Sequence, residues 1–83
     1  MEYLIPTPSQ LGQAFKSRRS ECNLTQAEAA SKVGLLPKTV SGLEGHPEVA
    51  SVESFFKLIV ALDLELILRP KGEAAHDEQR ESW

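Results

Sequence analysis

The residues best placed to do chemistry in this chain recognise other molecules rather than make or break bonds. Lys38, Thr39 and Ser41 follow Pro37 within five positions, Gln26 lies a few turns upstream, and Lys16 precedes the pair Arg18 and Arg19. Ammonium, amide and hydroxyl groups of this kind donate to anionic oxygens and to the polar edges of ring systems. The inventory for covalent or metal chemistry is empty by comparison. Cys22 stands alone, so it has no disulfide partner and no companion thiolate for a metal. His46 and His76 are isolated from Cys22 and from each other, which leaves no ligand set. There is no glycine-rich phosphate loop and no Ser/His/Asp or Cys/His arrangement, so an enzyme and a bound cofactor are not expected.

A chain of 83 residues holds one small domain. A domain of this size buries a limited core, and a second copy of the chain is a natural source of further buried area. The net charge of −3 is unusual for a binder of polyanions, but its distribution is uneven. Residues 72–83 carry Glu73, Asp77, Glu78 and Glu81 against Arg80, so the whole excess of acid lies there. Residues 1–71 balance to zero, and residues 9–45 carry five basic side chains against three acidic ones. The folded part can therefore present a basic face. No apolar run approaches the ~18 residues of a membrane span. The first six residues lack a basic stretch followed by an apolar one, so a cytoplasmic location is expected.

The elements that must position these residues are legible from caps and periodicity. Thr7-Pro8-Ser9-Gln10 reads as an N-cap, a first-turn proline and the closing residue of a capping box. A helix from about residue 8 to 22 follows, with Leu11, Ala14, Phe15 and Cys22 inward and the Arg18 stem lying along the apolar row with its head in water. After the break at Asn23-Leu24, Thr25-Gln26-Ala27-Glu28 forms a second capping box. Ala29, Ala30 and Val33 give that short helix a small apolar face, and Gly34 ends it. A third helix starts at Pro37, turns Val40 and Leu43 inward and stops at Gly45-His46-Pro47. A fourth begins near Ser51, with Val52, Phe55, Phe56, Ile59, Val60 and Leu62 as its core face. The three phenylalanines fit inward helix faces, not a stacking platform.

Residues 64–69 then change period: Leu64, Leu66 and Leu68 alternate with Glu65 and Arg69, a strand pattern stopped by Pro70-Lys71-Gly72. A lone strand leaves its hydrogen-bonding edges empty. Pairing with the same strand of a second chain resolves this, so a homodimer is expected. The expected division is a domain over residues 1–71 and a flexible acidic tail over 72–83 that ends in Trp83.

Two short helices joined by a glycine turn, with small residues on the first and an inward valine on the second, make a helix-turn-helix pattern. In such a motif the second helix enters the major groove of DNA. Arg19, Leu24-Thr25-Gln26, Ala30, Val33-Gly34, Val40-Ser41 and Leu43-Glu44, with Pro47 and the 52–62 pattern, resemble the Xre/Cro/lambda-repressor family. The further layout, with residues 64–69 and the terminal Trp83, is similar to HipB-type antitoxins. The resemblance implies a mainly α, lambda-repressor-like bundle of four or more helices, plus one C-terminal strand pairing across a homodimer. It also implies a transcriptional repressor that binds palindromic operator DNA and a HipA-type serine/threonine kinase toxin. A plain dimeric Xre-type repressor without a toxin is the alternative, and a protein-interaction module that has lost DNA binding is a third.

Roles follow for single residues. Gln26, at the start of the second helix, is expected to touch a phosphate, or else only to open that helix. Lys38, Thr39 and Ser41 lie in the first turns of the third helix, where base contacts are made, with a solvated surface as the other reading of Lys38. Lys16 is a phosphate candidate, and Lys32 a weaker one. The resemblance implies that Arg19 and Glu44 form an ion pair holding the first helix to the third. The chain departs from the family at Leu36, where a hydroxyl cap is common, and at Pro37, where a base-reading glutamine is common. Pro37 donates no hydrogen bond and is reduced to apolar contact, as with a thymine methyl. Trp83 is either an anchor for a pocket on the partner or a frayed end.

Overall fold

The computed structural model describes residues 2–72. Four α-helices and one 3₁₀ turn follow in order: α1 Pro8–Glu21, α2 Gln26–Lys32, α3 Pro37–Gly45, the turn Pro47–Val49, and α4 Val52–Ala61. The tail from residue 73, with Trp83, lies outside the described residues.

Local chemistry sets most helix ends. Thr7 caps α1 by accepting from the Gln10 backbone N–H, with Pro8 in the first turn. The capping box expected there is incomplete: the Thr7 hydroxyl donates to Gln10 Oε1, so the amide does not return to the cap backbone. At α2 the box is complete, because the Thr25 hydroxyl accepts from the Glu28 N–H and Glu28 Oε1 accepts from the Thr25 N–H. Gly34 holds a positive φ of 74° in the turn between α2 and α3, a conformation that suits glycine. Leu36 occupies the α3 cap position and offers no side-chain hydrogen bond. Ser51 caps α4 by accepting from the Ser54 N–H.

The core forms where the four helices meet. Phe15, Ala29, Ala30, Val40, Leu43, Leu58, Ile59, Ala61 and Leu62 are buried together, with Leu11, Leu24, Val33, Leu35, Phe55 and Leu64 packed at its edge. The alanines of α2 have no bulk, so the neighbouring helices approach closely there. Arg18 does more than reach water: its Nε donates to the Leu62 carbonyl at 2.9 Å and satisfies an orphan acceptor at the end of α4.

The expected core face of α4 needs correction. Phe55, Ile59 and Leu62 point inward as expected, and Leu58, which the apolar pattern passed over, is fully buried. Val52, Phe56 and Val60 are instead exposed. Phe56 stacks edge-on against Phe55, which in turn packs on Phe15, so it extends the core aromatic row outward rather than joining the core. Apolar residues cover well over half of this helix, so periodicity marks the polar side of Glu53, Ser54 and Lys57 but not which part of the broad apolar arc is buried. Beyond α4, residues 64–70 make no ladder within the described chain.

Gly12 fixes how near α1 comes to α3. A Cβ on it would collide with the Glu44 backbone carbonyl, which no rotamer change can relieve. Gly12→Ala should therefore destabilise the fold by about 1–3 kcal/mol despite alanine's better helix propensity. Urea denaturation reads this directly; a gain in stability would show that the two helices are free to separate.

Candidate nucleic-acid interface

The site is built on the junction of α1, α2 and α3. Glu44, near the end of α3, is the shared acceptor. Arg19 Nε donates to its Oε2 at 2.6 Å and Arg19 Nη2 to its Oε1 at 3.1 Å, a bidentate pair. The remaining guanidinium nitrogen, Nη1, donates to the Leu24 carbonyl at 2.9 Å in the loop before α2. The side chains are only 15% and 5% exposed, so solvent screens the pair little. The hydrogen bond to Glu44 raises the Arg19 pKa further above its ordinary value, against the opposing effect of burial. A raised pKa on a base means that its stabilisation holds at every pH below the unfolded value and fades only under strongly alkaline conditions.

Gln26 joins the same carboxylate: its Nε2 donates to Glu44 Oε1 at 3.1 Å. Its side chain is thus held by the end of α3 instead of swinging freely. One Nε2 hydrogen is committed to this bond, and the second remains available to an acceptor.

Along α3, Pro37, Lys38 and Ser41 form one exposed face. At 3.6 residues per turn Ser41 lies within about 60° of both Pro37 and Lys38 around the helix. The opposite side carries Val40 and Leu43 into the core. Thr39 is half-buried and sits about 160° from Ser41, so the structure brings Pro37, Lys38 and Ser41 together and sets Thr39 on another edge. The row Pro37–Ser41–Glu44 continues down α3 toward Gln26, which places Gln26 at the far end of the face. Lys16 is exposed on α1, one turn after Gly12 and one turn before Arg19, hence on the side of α1 that meets α3.

Lys16, Lys32 and Lys38 are exposed and make no ion pair with another described residue, whereas Arg18 and Arg19 are taken up internally. Leu36 was missed as a surface element: it stands 65% exposed immediately before Pro37 and lengthens the apolar front of α3. Its signal in the sequence was a leucine at a position that favours a hydroxyl. Among the described residues no group of three His, Cys, Asp or Glu side chains could hold a metal ion, and no helix is long and apolar enough to cross a membrane. Cys22 is half-buried, with Sγ 3.9 Å from the Leu62 carbonyl.

A short helix, a glycine turn and a second helix with its polar face outward define a helix-turn-helix protein. No family model matches the chain. Antitoxin HipB of Escherichia coli O6:H1 is 38% identical over 64 residues, covering 77% of this chain and 68% of that protein. Antitoxin HipB of Escherichia coli K12 is 36% identical over 64 residues, covering 77% and 73%. Among solved structures, a HipB variant in its O2 20mer complex superposes with a TM-score of 0.81 at 33% identity, covering 87% of this chain and all of that one. A chain of the HipA-HipB-O2-O3 complex gives 0.79 at 33% identity, covering 83% and 97%. The chain belongs to the HipB antitoxin family, a family of antitoxins and not of enzymes.

The junction has a measurable weight. Glu44→Ala should cost about 3 kcal/mol of stability, because it strands a largely buried guanidinium. Gln26→Ala removes one hydrogen bond and should cost about 1 kcal/mol. Glu44→Ala also removes the Gln26 contact, so equal losses in chemical denaturation would mean that the Arg19 pair contributes nothing.

Proposed function

We propose that this chain is the antitoxin of a HipA-type serine/threonine kinase toxin and that it represses its own operon as a homodimer on palindromic operator DNA. The observation that carries the reading is the match to a chain of the HipA-HipB-O2-O3 complex over most of both chains, joined to an α3 face that shows Lys38 and Ser41 to solvent.

On this reading α3 lies in the major groove. Lys38 reaches guanine O6 and N7 or a neighbouring phosphate, and Ser41 exchanges a hydrogen bond with a base edge. Pro37, with Leu36 beside it, supplies apolar contact to a thymine methyl. Gln26 spends its free Nε2 hydrogen on a phosphate while Glu44 holds the other. Lys16 adds a phosphate contact from α1, and Thr39 serves the edge of the interface. Two copies would read half-sites about one helical turn, ~34–36 Å, or a multiple of it apart.

On this reading residues 1–71 serve DNA binding and dimerisation, and the acidic segment 72–83 serves the kinase. Its acidic charge would favour approach to a basic surface, and Trp83 would anchor in a pocket there. The protein acts in the cytoplasm, where its operator is.

Two experiments test this. Operator duplexes selected from a random pool should lose about 1–3 kcal/mol of affinity on Lys38→Ala. Unchanged affinity on the preferred duplex removes Lys38 from the interface. In pull-downs from the source cells, the full chain should retain a kinase-sized partner. A chain ending at Lys71 should remain dimeric and bind DNA but lose or weaken that partner. Loss of the dimer on truncation would make the tail structural, and no partner on either bait would leave a plain dimeric repressor.

A further inference from the structure

An exposed leucine is held on rigid backbone at the front of α3. Leu36 is 65% exposed. On one side of it Leu35 packs at the edge of the core, and the Leu35 N–H donates to the Ala30 carbonyl at 2.9 Å. On the other side Pro37 locks its own φ and confines its predecessor to extended backbone, where Leu36 stands at φ −87° and ψ 150°. The side chain is thus apolar, open to water and positioned in advance, which lowers the entropy cost of a contact.

The same corner is poor in hydrogen-bond donors. Pro37 has no N–H, and Leu36 gives no side-chain cap. The Thr39 and Val40 N–H groups both turn to the Leu36 carbonyl, at 2.9 and 3.3 Å. Among the described residues, the Lys38 N–H is the one backbone donor of the first turn left without a partner. A polar base edge brought against Leu36 would lose its water and gain no hydrogen bond. Of the groups that base pairs show in the major groove, the 5-methyl of thymine is the apolar one, and the rest donate or accept.

We infer that Leu36, with Pro37, selects a pyrimidine bearing a 5-methyl group in each operator half-site, so that methylation of a cytosine at that position strengthens binding. The inference rests on the α3 reading proposed above and deepens it by naming the base chemistry that the apolar end of the helix requires. Thymine and 5-methylcytosine carry the same methyl at the same ring position, and Leu36 meets that methyl rather than the polar edge beside it. Burying one methyl is worth ~0.8 kcal/mol, about fourfold in affinity for one half-site and about fifteenfold for both.

Fluorescence anisotropy on the full chain tests this, with operator duplexes selected from a random pool of unmethylated DNA. Deoxyuridine put in place of each thymine in turn deletes the methyl and keeps the pairing. One position in each half-site should lose about fourfold. Cytosine at that position should bind more weakly than thymine, and 5-methylcytosine should regain about fourfold over cytosine. Leu36→Ser supplies a hydroxyl cap that favours the helix, so it should keep the wild-type circular dichroism. It should also bind the thymine and deoxyuridine duplexes alike at that position. If the serine lowers helicity, Leu36→Ala reads the same contact. A half-site in which no thymine methyl affects affinity overturns the inference, while a loss on Lys38→Ala keeps the α3 reading beneath it. An equal methyl effect in the wild type and in Leu36→Ser also overturns it, and gives the methyl to another side chain. A loss on deoxyuridine with no gain on 5-methylcytosine overturns the methylation response. A wild-type chain that selects no duplex overturns both the inference and the α3 reading.

Discussion

The carboxylate of Glu44 is the point at which three helices are joined, and the geometry of the interface depends on it. It accepts two hydrogen bonds from Arg19 on α1 and one from Gln26 on α2, while its own backbone carbonyl faces Gly12. A largely buried ion pair is weak as a source of net stability, because desolvation offsets much of the Coulomb attraction. Its value here is positional. Hydrogen-bond directions are strict, so a fork of two bonds plus a third fixes where α3 stands against α1 and α2 better than apolar contact would. The angle at which α3 projects its exposed face follows from that junction.

Gly12 and Arg19 act on the same relation at two heights. Where Gly12 lies, the α1 and α3 backbones come close enough to exclude a methyl group. Two turns further along α1, Arg19 reaches over to the carboxylate. Lys16 falls between them on the same side of α1, but its side chain stays in water. The arrangement separates the basic residues by task. Arg18 and Arg19 are spent on the fold, one on the Leu62 carbonyl and one on Glu44, and Lys16, Lys32 and Lys38 stay exposed. A balance of charge read over the whole chain hides this division.

The departures at Leu36 and Pro37 give the front of α3 an unusual chemistry. Proline sets the first turn of the helix without a donor, and leucine stands exposed beside it. On the reading proposed above, readout at that end would depend on shape and apolar contact, with hydrogen bonding left to Lys38 and Ser41. Gln26, at the other end of the face, is held in place by Glu44. A family code for base recognition does not transfer across such a change.

What the sequence by itself determined was local. The capping box at Thr25, the turn at Gly34, the proline start of α3 and the serine cap of α4 each involve residues within four positions of one another, and all stand where the spacing put them. The helix-turn-helix and the outward face of Lys38 and Ser41 follow from those same short spacings. The Arg19–Glu44 pair came from family resemblance, not from spacing. Tertiary structure decided what distance along the chain conceals. The Gln26–Glu44 bond spans 18 positions, and the Gly12 approach to Glu44 spans more. It also decided the orientation of α4. Its polar residues Glu53, Ser54 and Lys57 mark the outer side, but the apolar arc opposite is too broad for the sequence to say which part of it is buried. The core formed by Phe15, Ala29, Ala30 and Leu43 took Leu58 and left Val52, Phe56 and Val60 outside, because only one side of a cylinder can face a given neighbour.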